Sequence, residues 1–417
     1  MQYGLIGEKL GHSFSKEVHS LLGDYDYQLK EISQEELPTF IKSKAFKGIN
    51  VTIPYKQIVI PMIDHLDASA RKIGAVNTIV NKNGVLYGYN TDYLGVQSLL
   101  NKLKIDVKNK KVLILGNGAT CKTVLSVLTD NGAGEIVIAS RSKTNKTVDY
   151  LTASTIHNDS QIIFNTTPVG MYPNSQRCPI DLSAFNKLQA VLDVIYNPIC
   201  TNLVLSAKQM GVPSIGGLYM LVSQAVYSSC FFFDKQPNPS DIDAVYNRVL
   251  KDKANIVLTG MPSCGKSTVG KLLAQKLSKT FIDTDDCVET ALGCKISSII
   301  NNKGESFFRQ VESEQVQKVS LLNGCVIATG GGSILNANNV KNLKQNGIIF
   351  FIDRPLNMLL ATKDRPLTSS LDSLTKIYNQ RRDIYLTTAD KIIDGSLSVE
   401  DVVNIIIRGF EDETSSN

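Results

Sequence analysis

Histidine is scarce, with four in 417 residues, and the eight cysteines, at 121, 178, 200, 230, 264, 287, 294 and 325, form no CxxC pair. That spacing disfavours both a zinc site built on paired cysteines and a disulfide framework, so each cysteine reads first as a small buried hydrophobe. No stretch of about 18 apolar residues could cross a bilayer, and MQYGLIGEKLGHS lacks the long apolar segment of a signal peptide. Neither charge sign dominates. Lys and Arg number 44 against 39 Asp and Glu, a net +5, with 25 basic and 21 acidic residues in 1–252 and 19 and 18 in 253–417. Duplex binding by counterion release needs a dense basic stripe, and neither part has one. The expectation is a cytoplasmic protein with no nucleic-acid and no membrane partner.

What is present is an ordinary globular composition, 43% hydrophobic and 20% charged. The length exceeds the common domain size of roughly 150 residues, so two or three domains are expected. DKQPNPS is a polar, Pro-containing loop, and after it Ile242, Val245, Tyr246, Val249 and Leu250 recur at helical spacing behind a Ser240 or Asp241 cap. A fresh apolar run, NIVLTG, opens at Asn255, which puts a domain boundary near Lys253. Earlier, KKVLILGNGATCKTVLSVLTDNGAGEIVIASRS from Lys110 reads as strand, glycine turn, apolar-periodic helix and strand. Short β-like runs, QYGLIG, GINVTIP and NTIVNKNGVLYG, precede it between helical stretches.

The second part carries the sharper motif. NIVLTG runs into GMPSCGKST, Gly260 to Thr268, which matches GxxxxGK[ST] and leads into the helical VGKLLAQKL. In such a loop the backbone N–H groups of Gly260, Ser263, Cys264, Gly265 and Thr268 cradle phosphates. Lys266 reaches the β and γ phosphates, and the Ser267 hydroxyl ligates Mg²⁺. FIDTDD then places Asp283 and Asp285 two apart on a strand end, which predicts that both carboxylates share a face. Asp283 would orient the Mg²⁺ shell and the other acid would accept a substrate proton. Paired acids alone are more often solvated surface. GESFFRQVE sets Arg309 and Glu312 one helical turn apart, and ATGGGS presents Gly330, Gly331 and Gly332 after a strand.

With RPL at Arg365 to Leu367 and R-x-x-x-Y at Arg381 to Tyr385, these fragments resemble shikimate kinase through nearly all of 254–395. The resemblance implies ATP-dependent phosphorylation of the 3-hydroxyl of shikimate. It implies that Asp285 holds the substrate hydroxyls and serves as base, and that Arg309 and Arg381 hold the carboxylate. Gly331 and Gly332 would line the ring, and Arg365 would close over the phosphates on a lid. Arginine forks suit a planar carboxylate. The lid reads only ATKD between Leu360 and Arg365, and Ala361 stands where many members carry an arginine near the nucleotide, which bears on ATP affinity. Arg382, beside Arg381, is the alternative substrate contact.

In the first part, LGNGATCKT supplies Gly116 and Gly118 for a pyrophosphate turn, with small Ala119 and Cys121 in place of the third glycine. The next strand ends in Ser140-Arg141-Ser142, and Arg141 with Lys143 and Lys146 favours a 2′-phosphate, hence NADP. The region 1–250 resembles shikimate dehydrogenase through GEKLGHSFSKEVH, GINVTIPYK, GAVNT, GYNTDYLG, NTTPVGM, DVIYNP and GGLYMLVSQA. By that resemblance Ser13 and Ser15 bind the carboxylate, and Thr52, Asn77, Tyr196 and Gln224 position the hydroxyls. Thr166 and Gly217 attend the cofactor, and Lys56 and Asp92 form the catalytic pair. Reducing a ketone needs hydride and a proton at the nascent alkoxide, which a partly desolvated lysine beside an aspartate can deliver. His12 and His19 are assigned no chemistry.

The expected fold class is α/β. Residues 1–105 form a substrate lobe completed by helices in 218–252, 106–217 a Rossmann-like NADP lobe, and 253–417 a P-loop NTPase-type domain similar to nucleoside monophosphate kinases. The expected function is bifunctional: NADPH-dependent reduction of 3-dehydroshikimate, then ATP- and Mg²⁺-dependent phosphorylation of shikimate, with a homodimer left open. Two alternatives stand beside it. One is a quinate/shikimate dehydrogenase joined to another small-molecule kinase, and the other is a metabolite-sensing relative that has lost catalysis.

Overall fold

The apolar runs read above as strands fall into three sheets of a computed structural model that describes residues 1–11, 13–142, 144–360 and 370–416. The chain divides into two compact units, Met1–Val249 and Leu250–Asn417. The dividing point lies inside the helix Pro239–Lys253.

In the first unit, β1 (Tyr3–Gly7), β2 (Tyr27–Glu31), β3 (Gly48–Val51), β4 (His65–Leu66), β5 (Thr78–Lys82) and β6 (Val85–Tyr89) make a mixed sheet in the order β2-β1-β3-β5-β6-β4. β1 runs parallel to β2 and β3, whereas β5 is antiparallel to both β3 and β6. Asn83 and Gly84, at φ 54° and 86°, make the tight turn between β5 and β6 that an Asn-Gly pair favours. Ile6, Ile49, Val51 and Ile79 pack against Leu37 and Ile41 of the helix Leu37–Ser43. Each such side chain taken fully out of water contributes about 1.5–3 kcal/mol.

The remainder of this unit holds an all-parallel sheet: β7 (Lys111–Leu115), β8 (Glu135–Ala139), β9 (Ile162–Asn165), β10 (Ala190–Asp193) and β11 (Ser214–Ile215), ordered β11-β10-β9-β7-β8. Chain progression reverses between β7 and β9, so a crevice opens beyond their carboxyl ends, where ligands bind in open α/β sheets. Gly116 follows one of these strands and Thr166 the other. The helix Leu218–Phe233 returns to pack on Thr91–Lys102 of the first lobe. Neither expected cap starts the next helix. Pro239 opens it, because Asn238 accepts from the Ser240 N–H at 3.1 Å and proline needs no donor at a first helical position.

The second unit is a parallel sheet of β12 (Asn255–Thr259), β13 (Thr280–Asp283), β14 (Cys325–Ala328), β15 (Gly347–Asp353) and β16 (Lys391–Asp394), ordered β13-β14-β12-β15-β16. β12 is central and buried throughout, as a strand covered on both faces must be. Its carboxyl end delivers the P-loop next to Thr329, Gly331 and Gly332, which follow the neighbouring β14. No helix of the described residues is long and apolar enough to cross a membrane.

Candidate functional sites

In the first unit a cavity of about 580 Å³ is lined by Ser13, Ser15, Thr52, Lys56, Asn77, Asp92, Tyr196, Gly217 and Gln224. Lys56 is fixed by its neighbours. Tyr55 is fully buried with its hydroxyl donating to the Ile32 carbonyl, and the Val76 N–H donates to the Lys56 carbonyl at 2.7 Å. Asp92 sits in the first turn of Thr91–Lys102, where Asn90 accepts from the Tyr93 N–H at 3.2 Å and donates to the Ala75 carbonyl at 2.9 Å. Lys56 Nζ meets Asp92 Oδ2 at 2.6 Å, with side chains 22% and 18% exposed. The pair is partly desolvated yet reachable. Across the cavity the Ser13 and Ser15 hydroxyls lie 3.0 Å apart, and the Phe14 and Tyr196 rings pack at 5.4 Å.

Behind Asn77 and Gln224 lies a buried polar network that sequence reasoning missed. The Thr91 N–H donates to Asn77 Oδ1 at 2.7 Å, and Asn77 Nδ2 donates to Thr91 Oγ1 at 3.0 Å. The Thr91 hydroxyl lies 3.4 Å from Gln224 Oε1 and 3.1 Å from the Ser228 hydroxyl. Asn50 Nδ2 donates to Ser228 at 2.8 Å and to Thr78 at 3.0 Å. The available signal was Ser228, one helical turn after Gln224, together with the threonines that follow Asn77 and Asn90 in their motifs.

The glycine turn lies outside that cavity, although Thr120, next to Ala119, lines it. Gly116 has φ 97°, and a β-carbon there would lie 2.8 Å from the Thr167 side chain, so only glycine fits. Gly118 precedes the helix Ala119–Asp130 without a side-chain cap and with open space about it, which leaves the helix N–H groups to face a pyrophosphate. Cys121 is buried at the third-glycine position, and burial pushes its thiol up to about 11. Two of the expected cofactor residues are held by local bonds, Thr166 beside the turn and Ser140 within the loop after β8. The Thr166 hydroxyl donates to the Leu115 carbonyl at 2.7 Å, and the Ser140 hydroxyl donates to the Ser142 carbonyl. Arg141 is exposed, with no ion-pair partner among the described residues, and fits a 2′-phosphate; Lys143 and His12 lie outside those residues.

In the second unit a cavity of about 760 Å³ is lined by Ser263, Gly265, Lys266, Ser267, Thr268, Asp283, Asp285, Arg309, Gly331, Gly332 and Arg381. Gly260 and Cys264 are buried members of the loop and do not line this cavity. Lys266 Nζ donates to the Gly260 and Met261 carbonyls at 2.9 and 3.0 Å. The Ser267 hydroxyl donates to Asp283 Oδ2 at 2.7 Å, a hard-oxygen pair that suits Mg²⁺. The shared strand face expected for the two acids is corrected. Asp283 ends β13 and caps the helix Thr284–Leu292, accepting from the Asp285 N–H at 3.0 Å, so Asp285 belongs to a helical first turn. Both acids still face one cavity.

Arg309 is held by Glu312, whose side chain is 2% exposed and accepts from Arg309 Nη1 at 2.7 Å and from the Ser333 hydroxyl at 2.7 Å. A β-carbon on Gly332 would meet the Arg309 guanidinium and displace it. Arg381 Nη1 and the Tyr385 hydroxyl both donate to the Gly331 carbonyl, the former at 3.0 Å. Burial lowers the Arg381 guanidinium from its ordinary value. Arg382, the alternative contact, instead grips Asp353 through Nε and Nη2 at 3.3 and 2.5 Å. Arg365 and Ala361 lie outside the described residues.

The folds and the two cavities define a two-site α/β enzyme, a dinucleotide-dependent dehydrogenase followed by a P-loop kinase. Residues 5–79 match the model of the shikimate dehydrogenase substrate binding domain, and residues 262–410 match the model of shikimate kinase. A shikimate dehydrogenase (NADP(+)) of Clostridium beijerinckii is 39% identical over 54% of this chain and 88% of its own length. One from Methanosphaera stadtmanae is 34% identical over 56% and 92%. Among solved structures, a chorismate mutase/shikimate 5-dehydrogenase fusion protein from Clostridium acetobutylicum aligns with TM-score 0.57 and 36% identity over 59% of this chain and 96% of that one. Shikimate 5-dehydrogenase from Thermus thermophilus, in complex with NADP(H) and shikimate, aligns with TM-score 0.54 and 26% identity over 60% and 99%. The chain belongs to the shikimate dehydrogenase family and carries a shikimate kinase domain after it, a fused bifunctional enzyme of the shikimate pathway.

Proposed function

We propose that the Lys56–Asp92 cavity reduces 3-dehydroshikimate to shikimate and that the P-loop cavity phosphorylates the 3-hydroxyl of that product. The observation that carries the reading is the pairing, in each cavity, of groups for a small carboxylate with a polar pair placed for reaction. In the first, the Ser13 and Ser15 hydroxyls take the carboxylate, while Thr52, Asn77, Tyr196 and Gln224 orient the ring hydroxyls. NADPH, held at Gly116, Gly118, Ala119 and Arg141, supplies the hydride when bound. Lys56 Nζ carries the proton for the forming alkoxide, and Asp92 at 2.6 Å keeps the amine aimed and accepts from the neighbouring hydroxyl.

In the second, Arg309 and Arg381 take the carboxylate, and Asp285 accepts the proton of the attacking hydroxyl. Lys266 exchanges the Gly260 and Met261 carbonyls for phosphate oxygens. Ser267 and Asp283 hold Mg²⁺, which offsets phosphate charge when bound. Residues 1–105 with 218–252 serve the substrate, 106–217 the dinucleotide and 253–417 the kinase. The eight cysteines, all unpaired, suit a cytoplasmic enzyme that draws on NADPH and ATP. The test is to supply 3-dehydroshikimate, NADPH, ATP and Mg²⁺ and weigh the product. Shikimate 3-phosphate is expected; a product carrying no phosphoryl group, or no turnover of NADPH, would refute one half of the reading or the other.

A further inference from the structure

The second unit contains a cation that the reading above does not use. Arg354 follows Asp353, the last residue of β15, at the carboxyl edge of the sheet and one strand over from β12, whose end opens the P-loop. A β-carbon placed on Gly265 would find one atom within 4 Å beyond its chain neighbours, Arg354 Nη1 at 3.9 Å. The Arg354 backbone is fixed from behind. Its N and Cβ lie 3.0 Å from the position of a β-carbon on Gly395, and Asp353 pairs with Asp394 in the register of β15 and β16.

Among the described residues the guanidinium has no hydrogen-bond or ion-pair partner, and its Nε is buried without an acceptor. The adjacent carboxylate is not available to it, because Arg382 already holds Asp353. A buried guanidinium N–H without an acceptor is costly, and arginine presents five donors in a fixed fork that suits phosphate oxygens. Gly265 itself has φ 100° and precedes the helix Lys266–Leu277 with no side-chain cap. Uncapped N–H groups, the positive end of a helix and an uncommitted guanidinium therefore stand at the same loop residue, an arrangement that favours a polyphosphate.

We propose that Arg354 binds the phosphate chain of the nucleoside triphosphate. The inference rests on the phosphotransfer reading of this unit and adds a residue to its nucleotide site. The test compares the full chain with Arg354→Ala and Arg354→Lys, measuring KM for ATP in the kinase reaction and Kd for ADP with Mg²⁺ by calorimetry. Loss of a charge-assisted contact should raise both constants about tenfold or more in the alanine variant, with partial recovery in the lysine variant. KM for shikimate in the kinase reaction, which reports folding of the second unit, should stay within about twofold, and the dehydrogenase rate should not change. Unchanged ATP and ADP constants would overturn the proposal while leaving phosphotransfer intact. An equal loss in adenosine binding would overturn it too, by assigning the guanidinium to the base. A wild-type chain unable to phosphorylate shikimate would instead remove the reading on which it rests.

Discussion

Glu312 shows how much of the kinase cavity hangs on one buried side chain. Its two oxygens take Arg309 and Ser333 separately, so removing the charge releases both the guanidinium and the segment that carries Gly331 and Gly332. Glu312→Ala should raise KM for shikimate more than it lowers kcat and should cost about 1–3 kcal/mol of stability, because Arg309 keeps a second, more exposed acceptor in Glu305. Steady-state kinetics and urea unfolding read the two effects, and an unaltered KM would show that Arg309 needs no such anchor. In the other unit, Thr91→Val removes a hydroxyl that lies between Asn77, Gln224 and Ser228. The expected outcome is a rise in KM for shikimate of about tenfold with the Lys56–Asp92 pair still formed. An unchanged KM with a lowered melting temperature would make the network structural only. The residues proposed to touch substrate are the ones legible in the sequence, since motifs such as GAVNT and GYNTDYLG carry them. Asn50 and Ser228, 178 positions apart, meet only after folding, and nothing local to either marks the contact.

At the scale of elements, the P-loop and the glycine turn were readable because a glycine string between a strand and a helix has few alternative meanings. FIDTDD was harder. A two-residue period suggests one strand face, but an aspartate followed by Thr-Asp-Asp also satisfies the N-terminus of a helix, and the capping bond decides it. The helix Ser15–Ser20 offers a pH test. Its His19 stacks on Tyr27 with ring centroids 3.7 Å apart and meets the Tyr25 hydroxyl at 2.6 Å through Nδ1, which fixes the turn bearing Ser13 and Ser15. Burial lowers this imidazole to about 3. The unfolded chain, with an ordinary value of about 6.5, then takes up the proton first as pH falls. Stability from this source is constant above pH about 6.5 and declines below it, by up to about 1.4 kcal/mol per pH unit until about pH 3. Urea midpoints measured between about pH 4.5 and 7.5 should show a steeper fall for the wild type than for His19→Gln. Equal slopes would place the titration elsewhere.

At the scale of the whole molecule, each reaction is furnished from within one unit. Every side chain proposed for the redox step lies between Ser13 and Gln224, and every described one proposed for phosphotransfer lies between Gly260 and Arg381. The order of the units along the chain matches the chemistry, because the alcohol made in the first is the nucleophile needed in the second. Fusion keeps the two at a fixed ratio without requiring that either site borrow a residue from the other. Lys56→Ala should therefore lower the dehydrogenase kcat by about 10²-fold or more, the range of a lost general acid, while the kinase kcat and KM stay within about twofold. Lys266→Ala should do the reverse. The chain carrying both substitutions should show each loss at its single-variant size, since distant sites with no shared partners add independently. The check is to assay each half-reaction separately, supplying shikimate directly to the kinase, with circular dichroism to confirm folding. A well-folded Lys56→Ala chain with a silenced kinase would mean that the two centres are coupled, and the separation of residues would not be a separation of function.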